Sequence, residues 1–209
     1  MLSIALAALL VPVSQDSVDL IVRYEVGSEA RYTARYQRPI CPGLHSGPTI
    51  GIGSDLGTQA ERTIRLTWAD HPQVGRLTTA SGATGSDCAA ARDVISDVVT
   101  RWPLALDVFE RVDLVRYWRI ARRSFGDGFA ELPSNAQGAL VSVVYNRGGS
   151  TVGSARREYR EIRDVCIPER DEACIAAQIE AMCRLWRGGS FERGLCGRRS
   201  AEAKLIAER

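Results

Sequence analysis

The stretch Ser46-Gly-Pro-Thr49-Ile-Gly51-Ile-Gly53-Ser-Asp55-Leu-Gly57 decides the fold, because it predicts a small β-hairpin in a chain whose later segments are helical in pattern. Glycines weaken the interior of a strand unless another group must approach the backbone closely, and a bound polymer is one such group. The polar side chains that this hairpin keeps, Thr49 and Asp55, are those that a hydrolytic site requires. The alternative is an Asx turn at Asp55 and a threonine that favours a strand.

A carboxylate precedes the hairpin at the end of a predicted short helix. Asp16 or Ser17 is suited to the N-cap and Gly27 to a left-handed stop, so Glu25 falls in the last turn. An acid there meets the negative end of the helix dipole, which favours its protonated form, as a general acid requires. The alternative is an exposed glutamate near a helix end.

Glu25, Thr49 and Asp55 together resemble the site of a known family. The run Thr-Ile-Gly-x-Gly-x-Asp-Leu-Gly, which follows a glutamate at the end of the first helix, is similar to pesticin-type lysozyme domains. More distantly, the chain resembles the phage-type lysozymes of glycoside hydrolase family 24. In those enzymes the first helix ends in Glu-Gly and the hairpin carries Thr-Ile-Gly-x-Gly.

Three further segments extend the resemblance over roughly Ser17 to Arg209. They are Leu132-Pro133 with Gln137, Ala139–Gly149 with its Tyr-Asn-Arg-Gly ending, and Trp186 followed by Gly194-Leu195, Arg198-Arg199 and Glu202-Ala203. The resemblance implies an α+β, mainly helical, lysozyme-like fold, with a small β-hairpin lobe, a larger helical lobe and a cleft between them.

The chain departs from the family pattern at Val26, which stands between the acid and Gly27. Glu29 is the nearby alternative acid, but it lies beyond the glycine stop, whereas Glu25 follows an apolar helix face. We therefore expect Glu25 to be the acid. Asp55 follows the pesticin pattern, since the phage enzymes carry their aspartate before the threonine.

The resemblance implies cleavage of the β-1,4 bond between N-acetylmuramic acid and N-acetylglucosamine in peptidoglycan. Glu25 would be the general acid, and Asp55 and Thr49 would position and activate water. A carboxyl separation of about 6.5–9.5 Å leaves room for that water and inverts the anomeric centre, whereas about 5–5.5 Å gives retention. We expect inversion, because family 24 enzymes invert and threonine is a poor nucleophile toward a sugar.

Tyr24, Asn146 and Arg147 are the candidate substrate-binding residues. In the resemblance the Asn146 amide lies near the cleft, where it can bind an acetamido or hydroxyl group, and the Arg147 guanidinium can pair with a carboxylate such as Glu25. The alternative for the Asn-Arg pair is a helix stop before Gly148.

Composition permits a single two-lobed domain, with 209 residues of which 45% are hydrophobic and 25% charged. The formal charge of +2 is too small to indicate nucleic acid as a partner. Peptidoglycan glycan strands are the expected partner, and a monomer is expected. No cofactor is expected, and with no Cys-x-x-Cys and only His45 and His71 as histidines, neither is a metal.

Six cysteines in one chain predict a disulfide framework and an oxidising compartment, periplasmic or secreted. Fifteen connectivities are possible. Spacing favours Cys166 with Cys174 and Cys183 with Cys196, which leaves Cys41 to pair with Cys88.

Residues 1–16 form an apolar N-terminal segment ahead of a catalytic domain over residues 17–209. The segment is interpreted as an export signal, with a helix packed on the domain or a signal-anchor as alternatives, and it is too short to span a bilayer. Beyond the hairpin, the spacing of apolar residues predicts successive helices. These are 89–102, ended by Pro103; 104–122; Ser134 or Asn135 to Tyr145; 172–186; and 200–208.

Two other functions fit the same residues. The first is a lysozyme-like peptidoglycan-binding module that lost its chemistry, for which the inserted Val26 is the support. The second is a chitinase-type hydrolase acting on a related β-1,4-linked N-acetylglucosamine polymer.

Overall fold

The computed structural model describes residues 11–43 and 45–208. These residues are mainly helical and include a small two-stranded antiparallel sheet, which confirms the α+β, mainly helical prediction at that level. Two compact units are present: one comprises the described residues up to Tyr24 and from Leu114 onward, and the other is Glu25–Asp113. Residues 1–10 of the predicted apolar segment lie outside the described residues.

The helices and strands follow one another along the chain with short connections. In chain order they are α1 (Gln15–Glu25), α2 (Glu29–Arg35), β1 (Thr49–Ile50), β2 (Ser54–Asp55), α3 (Glu61–Thr67), α4 (Val74–Leu77), α5 (Cys88–Val94), α6 (Trp102–Val108), α7 (Val115–Phe125), α8 (Ser134–Arg147), α9 (Arg157–Glu161), α10 (Glu172–Ala181) and α11 (Glu192–Ala207). Two π-helical segments, Phe109–Leu114 and Ile162–Cys166, follow α6 and α9.

The β-hairpin is the structural centre of the unit Glu25–Asp113. Thr49 pairs with Asp55 and Ile50 with Ser54, and Ile40 adds an isolated antiparallel bridge to Thr49 on the other side. The apolar residues of the hairpin continue into one core with the helices of this unit. That core contains Ile50, Leu56, Ile64, Trp68, Leu77, Ala80, Ile95, Val98 and Val108.

The backbone conformation of the turn and the packing of a tryptophan account for the two hairpin glycines. Gly51 and Gly53 have φ angles of +59° and +85°, which other residues adopt rarely. A Cβ atom on Gly51 would also lie only 2.6 Å from the Trp68 ring. The sequence therefore predicts the hairpin correctly, and at Gly51 a side chain of the protein itself approaches the backbone closely.

In the other unit the central helix is α8, which packs against α7, α10 and α11. The side chains of α8 are buried from Ala136 to Val144, as a helix surrounded by other helices requires. The N-terminal helix α1 approaches closely, since a Cβ atom on Gly138 would lie 1.8 Å from the Ser17 hydroxyl oxygen. Gly138 is therefore required for this contact.

The prediction of a helix over 89–102 is wrong. Helix α5 ends at Val94, whose side chain is 60% exposed, and a new helix begins at Trp102. Pro103 lies in the first turn of α6 instead of ending α5, because proline lacks only an N–H that the first turn leaves unpaired anyway. The last helix also begins earlier than predicted, at Glu192.

The three predicted disulfides are confirmed. Cys41 is bonded to Cys88 in the unit Glu25–Asp113, and the other two pairs, Cys166–Cys174 and Cys183–Cys196, lie in the other unit. Such a framework is compatible with an extracellular or periplasmic protein. Among the described residues no helix is both long and apolar enough to cross a bilayer.

Candidate active site

A cavity of about 340 Å³ in the unit Glu25–Asp113 is lined by all three residues predicted to be catalytic. Glu25 reaches it from the last position of α1, Thr49 from β1 and Asp55 from β2. The other lining residues are Val26, Tyr36, Ile40, Pro42, Ser46, Gly51 and Gly53. The cavity thus combines two carboxyl groups and a hydroxyl with an apolar wall, in the size range of small-molecule sites.

Thr49 is hydrogen-bonded to Ile40 and to Gly47. Its main chain exchanges two hydrogen bonds with Ile40, of 3.0 and 2.8 Å, and its hydroxyl donates to the Gly47 carbonyl oxygen at 3.1 Å. A hydroxyl has one proton and two lone pairs. Because that proton is directed to Gly47, the Thr49 oxygen can act toward a bound molecule as an acceptor.

Asp55 is held by main-chain N–H groups. Gly47 N–H lies 3.1 and 3.2 Å from the two carboxylate oxygens, and Thr58 N–H lies 3.3 Å from one of them. Backbone donors of this kind complement an ionised carboxylate. The side chain is only half-buried, so it remains accessible from the cavity.

Gly47 therefore fixes both Thr49 and Asp55, and its own position is fixed by close packing. A Cβ atom on Gly47 would lie 2.4 Å from both the Ala83 carbonyl oxygen and the Gly57 Cα. No side chain fits between these backbones. Close packing of Gly47 thus fixes the main-chain groups that hydrogen-bond Thr49 and Asp55.

The comparison of Glu25 with Glu29 favours the former. Glu29 is exposed, begins α2 after the N-cap Ser28, and does not line the cavity that Thr49 and Asp55 share. Val26, which lies between Glu25 and Gly27, is 4% exposed and forms part of the cavity wall.

Tyr24, predicted to bind substrate, is half-buried in the unit that contains α8 and α11. The guanidinium carbons of Arg23 and Arg198 lie 5.6 and 5.5 Å from the centre of its ring. Both distances are in the range of cation–π contacts. The ring thus has cationic neighbours within its own unit.

Asn146 and Arg147 both belong to the last turn of α8, which ends at Gly148 with φ +72°. Asn146 is exposed, and its side-chain oxygen accepts from Arg199 at 3.4 Å. Arg147 donates to the Ala155 carbonyl oxygen at 2.6 Å. Burial lowers the pKa of Arg147 to about 10, with like charges nearby acting in the same direction. The two side chains thus have hydrogen-bond partners within their own unit. The helix also ends directly after them, at Gly148, as the alternative prediction has it.

Sequence reasoning missed Tyr36, Ile40 and Pro42 as lining residues. Ile40 reaches the cavity through its bridge to Thr49, a pairing that local periodicity does not reveal. Gly47 has no side chain that could indicate its role as a hydrogen-bonding partner of Thr49 and Asp55. The signal for it was the Ser-Gly-Pro sequence directly before β1.

A larger cavity of about 580 Å³ lies in the other unit, but its charged groups form surface ion pairs. Glu131 pairs with Arg170 at 2.6 Å, and Asp127, 98% exposed, lies 3.4 Å from Arg122. Among the described residues, one trio of potential metal ligands clusters closely, Cys183, Glu192 and Cys196. Its two sulfurs are joined in a disulfide and so are not thiolate ligands.

In comparisons with known proteins, no protein-family model matches the chain, and no curated sequence does.

Proposed function

We propose that the protein is a muramidase, a lysozyme that hydrolyses the β-1,4 bond between N-acetylmuramic acid and N-acetylglucosamine of peptidoglycan. The observation that supports this most is the cavity lined jointly by Glu25, Thr49 and Asp55. Glycoside hydrolysis requires an acid for the leaving oxygen and a second carboxylate for water or the sugar cation. One cavity of this unit is lined by two residues with carboxyl groups, Glu25 and Asp55, and by Thr49, which has a hydroxyl.

In the proposed reaction, the Glu25 carboxyl group donates its proton to the glycosidic oxygen as the bond from that oxygen to the anomeric carbon breaks. The bonding electrons leave with the oxygen. A water molecule attacks the anomeric carbon and loses a proton to Asp55. Glu25 ends ionised and Asp55 ends protonated, and exchange with solvent restores both groups.

Thr49 has a specific part in this proposal. Its hydroxyl proton is directed to the Gly47 carbonyl, so its oxygen accepts one hydrogen of the attacking water while Asp55 accepts the other. The water oxygen then keeps a lone pair free for the anomeric carbon. This arrangement requires a water between sugar and carboxylate, so we propose inversion of configuration.

The test uses the disulfide-bonded protein and purified peptidoglycan, with release of reducing ends as the readout. Glu25→Gln and Asp55→Asn are compared with Glu29→Gln and Asp70→Asn, which remove exposed carboxylates of the same unit. Circular dichroism and denaturant midpoints establish that each variant is folded. We expect both site variants to lose at least about 100-fold in rate, the low end of general acid–base contributions, and both controls to keep wild-type rates.

The products separate the proposed function from its alternatives. Reducing muramic acid ends identify a muramidase, whereas activity on chitin with reducing glucosamine ends identifies the chitinase-type hydrolase. If the folded wild-type protein binds peptidoglycan in a pull-down but releases no reducing ends, the protein is the inactive binding module, and the catalytic proposal is wrong. Proton NMR of the first-formed anomer tests inversion.

A further inference from the structure

An arginine cluster lies around Tyr159 and Trp186 in the unit that contains α8 and α11. The guanidinium carbons of Arg147 and Arg156 lie 5.4 and 4.8 Å from the centre of the Tyr159 ring. Arg147 and Arg199 also lie 5.4 and 6.0 Å from the Trp186 ring. Arg147 therefore lies near both rings, while Arg156 and Arg199 each lie near one of them.

Each of these three arginines has a buried nitrogen without a hydrogen-bond acceptor among the described residues. The atoms are Nη1 of Arg147, Arg156 and Arg199. Arg199 Nε, by contrast, lies 2.8 Å from a Glu202 carboxylate oxygen and is held in that ion pair. A buried donor without a partner costs about 1–3 kcal/mol, and a charged one costs more.

The nearby carboxylates are committed to other arginines. Glu158, fully buried, receives bonds of 2.5 and 3.1 Å from Arg184 and one of 2.9 Å from Arg157. Burial alone raises the pKa of Glu158, but its hydrogen bonds, those from Arg184 foremost, outweigh this effect and hold the pKa below its ordinary value.

The second carboxylate, Glu202, pairs with Arg198 and Arg199 at 3.2 and 2.8 Å. In the part of the chain that the structure describes, neither Arg147 nor Arg156 forms an ion pair. Arg147 donates to Ala155, and Arg156 donates to the main-chain carbonyl of Arg147. The cluster therefore holds more positive charge than its carboxylates balance.

We propose that Arg147, Arg156 and Arg199 form a binding site for a small inorganic oxyanion of the phosphate class. Guanidinium forks match the oxygens of such anions, and a tetrahedral ion offers enough oxygens for three separate donors. Arg147 and Arg156 retain partial exposure, which gives a small ion a route from solvent.

The proposed site does not rest on the proposed hydrolase activity, because its evidence comes from Arg147, Arg156 and Arg199 within one unit and its readout is anion binding. Its test therefore needs no substrate. Thermal unfolding and titration calorimetry of the full disulfide-bonded chain are measured with sodium phosphate, and with sodium chloride at equal ionic strength. Sodium acetate is a third arm, since a planar carboxylate has fewer oxygens to share among three guanidinium groups.

The expected result is a saturable rise in the unfolding midpoint with phosphate, of about 5–10 °C at a hundredfold excess over the dissociation constant. Acetate is expected to give a smaller rise, and chloride none beyond its ionic-strength effect. Arg147→Gln and Arg156→Gln are expected to weaken phosphate binding at least tenfold. Arg123→Gln, which removes an exposed arginine of the same unit, is expected to leave it unchanged.

Arg156→Lys covers the case in which the glutamine variants do not fold. This variant keeps the charge but loses the planar fork, so we expect intermediate affinity. Equal responses to phosphate and chloride, or an equal loss in Arg123→Gln, would show a general salt effect and overturn the proposal. Absence of any binding heat with the wild-type protein would mean that water satisfies these donors, and would overturn it as well.

Discussion

Thr49 and Asp55 lie directly opposite each other across the β-hairpin, and the side chains of both are hydrogen-bonded to the main chain of Gly47. Because Leu56 N–H bonds to Pro48 and not to Thr49, the opposed residues form a pair without direct main-chain bonds, the kind whose side chains lie closest. Both side chains project from the same face of the hairpin. The geometry of the cavity therefore depends on the register of β1 and β2.

The Thr49 hydroxyl provides a direct test of the proposed water site. Thr49→Val has the same shape without the oxygen, and we expect it to lower kcat/KM for peptidoglycan by about 100-fold. Thr49→Ser restores the oxygen and is expected to stay within about tenfold of wild type by the same argument. Initial rates of reducing-end release measure both. A Thr49→Val protein with wild-type rates would exclude any part for the hydroxyl in the reaction.

Gly47 is expected to tolerate no side chain. Gly47→Ala places a Cβ atom 2.4 Å from Ala83 and Gly57 backbone atoms, so we expect a loss of about 1–3 kcal/mol of stability together with lower activity. Gly75→Ala is the matched control, because nothing lies within 4 Å of its Cβ position. Within α4 it is expected to stabilise the protein by up to about 1 kcal/mol. Urea midpoints measure both variants, and a neutral Gly47→Ala would show that the loop relaxes.

Two disulfides are expected to differ in their contribution to stability. Cys41–Cys88 closes a loop with a sequence separation of 47, whereas Cys166–Cys174 has a separation of 8. Chain entropy gives losses of about 4 and about 2.5 kcal/mol when each pair is replaced by serines. Chemical denaturation of the two double-serine variants measures the order. The reverse order would mean that native contacts, not loop entropy, set the difference.

Cys41–Cys88 also lies beside the cavity, since Ile40 and Pro42 on either side of Cys41 line it. We therefore expect its removal to lower hydrolysis at temperatures where the protein is still folded. Removal of Cys166–Cys174 is expected to leave that rate unchanged.

The sequence predicts the parts of this fold that depend on local chemistry. Glycine spacing predicts the hairpin, and Gly27, with φ +88°, ends the region of α1 as expected. Two disulfide pairs follow from spacing, because neighbouring cysteines close short loops, and Cys41 and Cys88 are the two cysteines that remain. The sequence predicts Pro103 as the end of a helix, whereas it lies in the first turn of α6, because proline occurs both after helices and at their first positions.

The parts that sequence cannot predict depend on distant residues. Ile40 reaches the cavity through a bridge to Thr49. The Trp68 ring lies where a Cβ atom of residue 51 would be, which is why Gly51 is required there. The arginines around Tyr159 and Trp186 come from α8, from α11 and from the residue directly before α9. Their approach to one another depends on contacts between helices, which the sequence alone does not reveal.

The buried Glu202 is expected to be essential for the stability of the unit that contains it. Its carboxylate contacts Ser142, Arg198 and Arg199, all buried. Burial raises the pKa of Glu202, while the two guanidinium groups and Ser142 act in the opposite direction. Glu202→Gln leaves two buried cations without their anion, so we expect a loss of about 3–5 kcal/mol.

Chemical denaturation of Glu202→Gln at pH 7 measures this loss. Asp97→Asn is the control, because its pair with Arg76 is exposed, and we expect a far smaller change there. A change below about 1 kcal/mol in Glu202→Gln would contradict the prediction, and would mean that the wild-type carboxyl group already carries a proton.

His71 is expected to make the stability of the unit Glu25–Asp113 depend on pH. Burial lowers its pKa below the ordinary 6.5, with a main-chain hydrogen bond at Val99 opposing the effect. Nδ1 accepts from Gln73 N–H at 3.1 Å, and Nε2 lies 3.3 Å from the Thr100 hydroxyl. The folded protein therefore holds the neutral ring.

Above about pH 6.5 His71 is neutral in both the folded and the unfolded chain, and it adds no pH dependence. As pH falls below that value, His71 binds a proton in the unfolded chain but not in the folded protein. The free energy of unfolding therefore decreases by about 1.4 kcal/mol for each pH unit. The decrease ends where the folded ring also protonates, at its lowered pKa. Urea unfolding from pH 7.5 to pH 5 measures this slope. We expect His71→Asn to lose this slope, whereas His45→Asn, at an exposed site, keeps it. An unchanged slope in His71→Asn would assign the pH dependence to carboxyl groups instead.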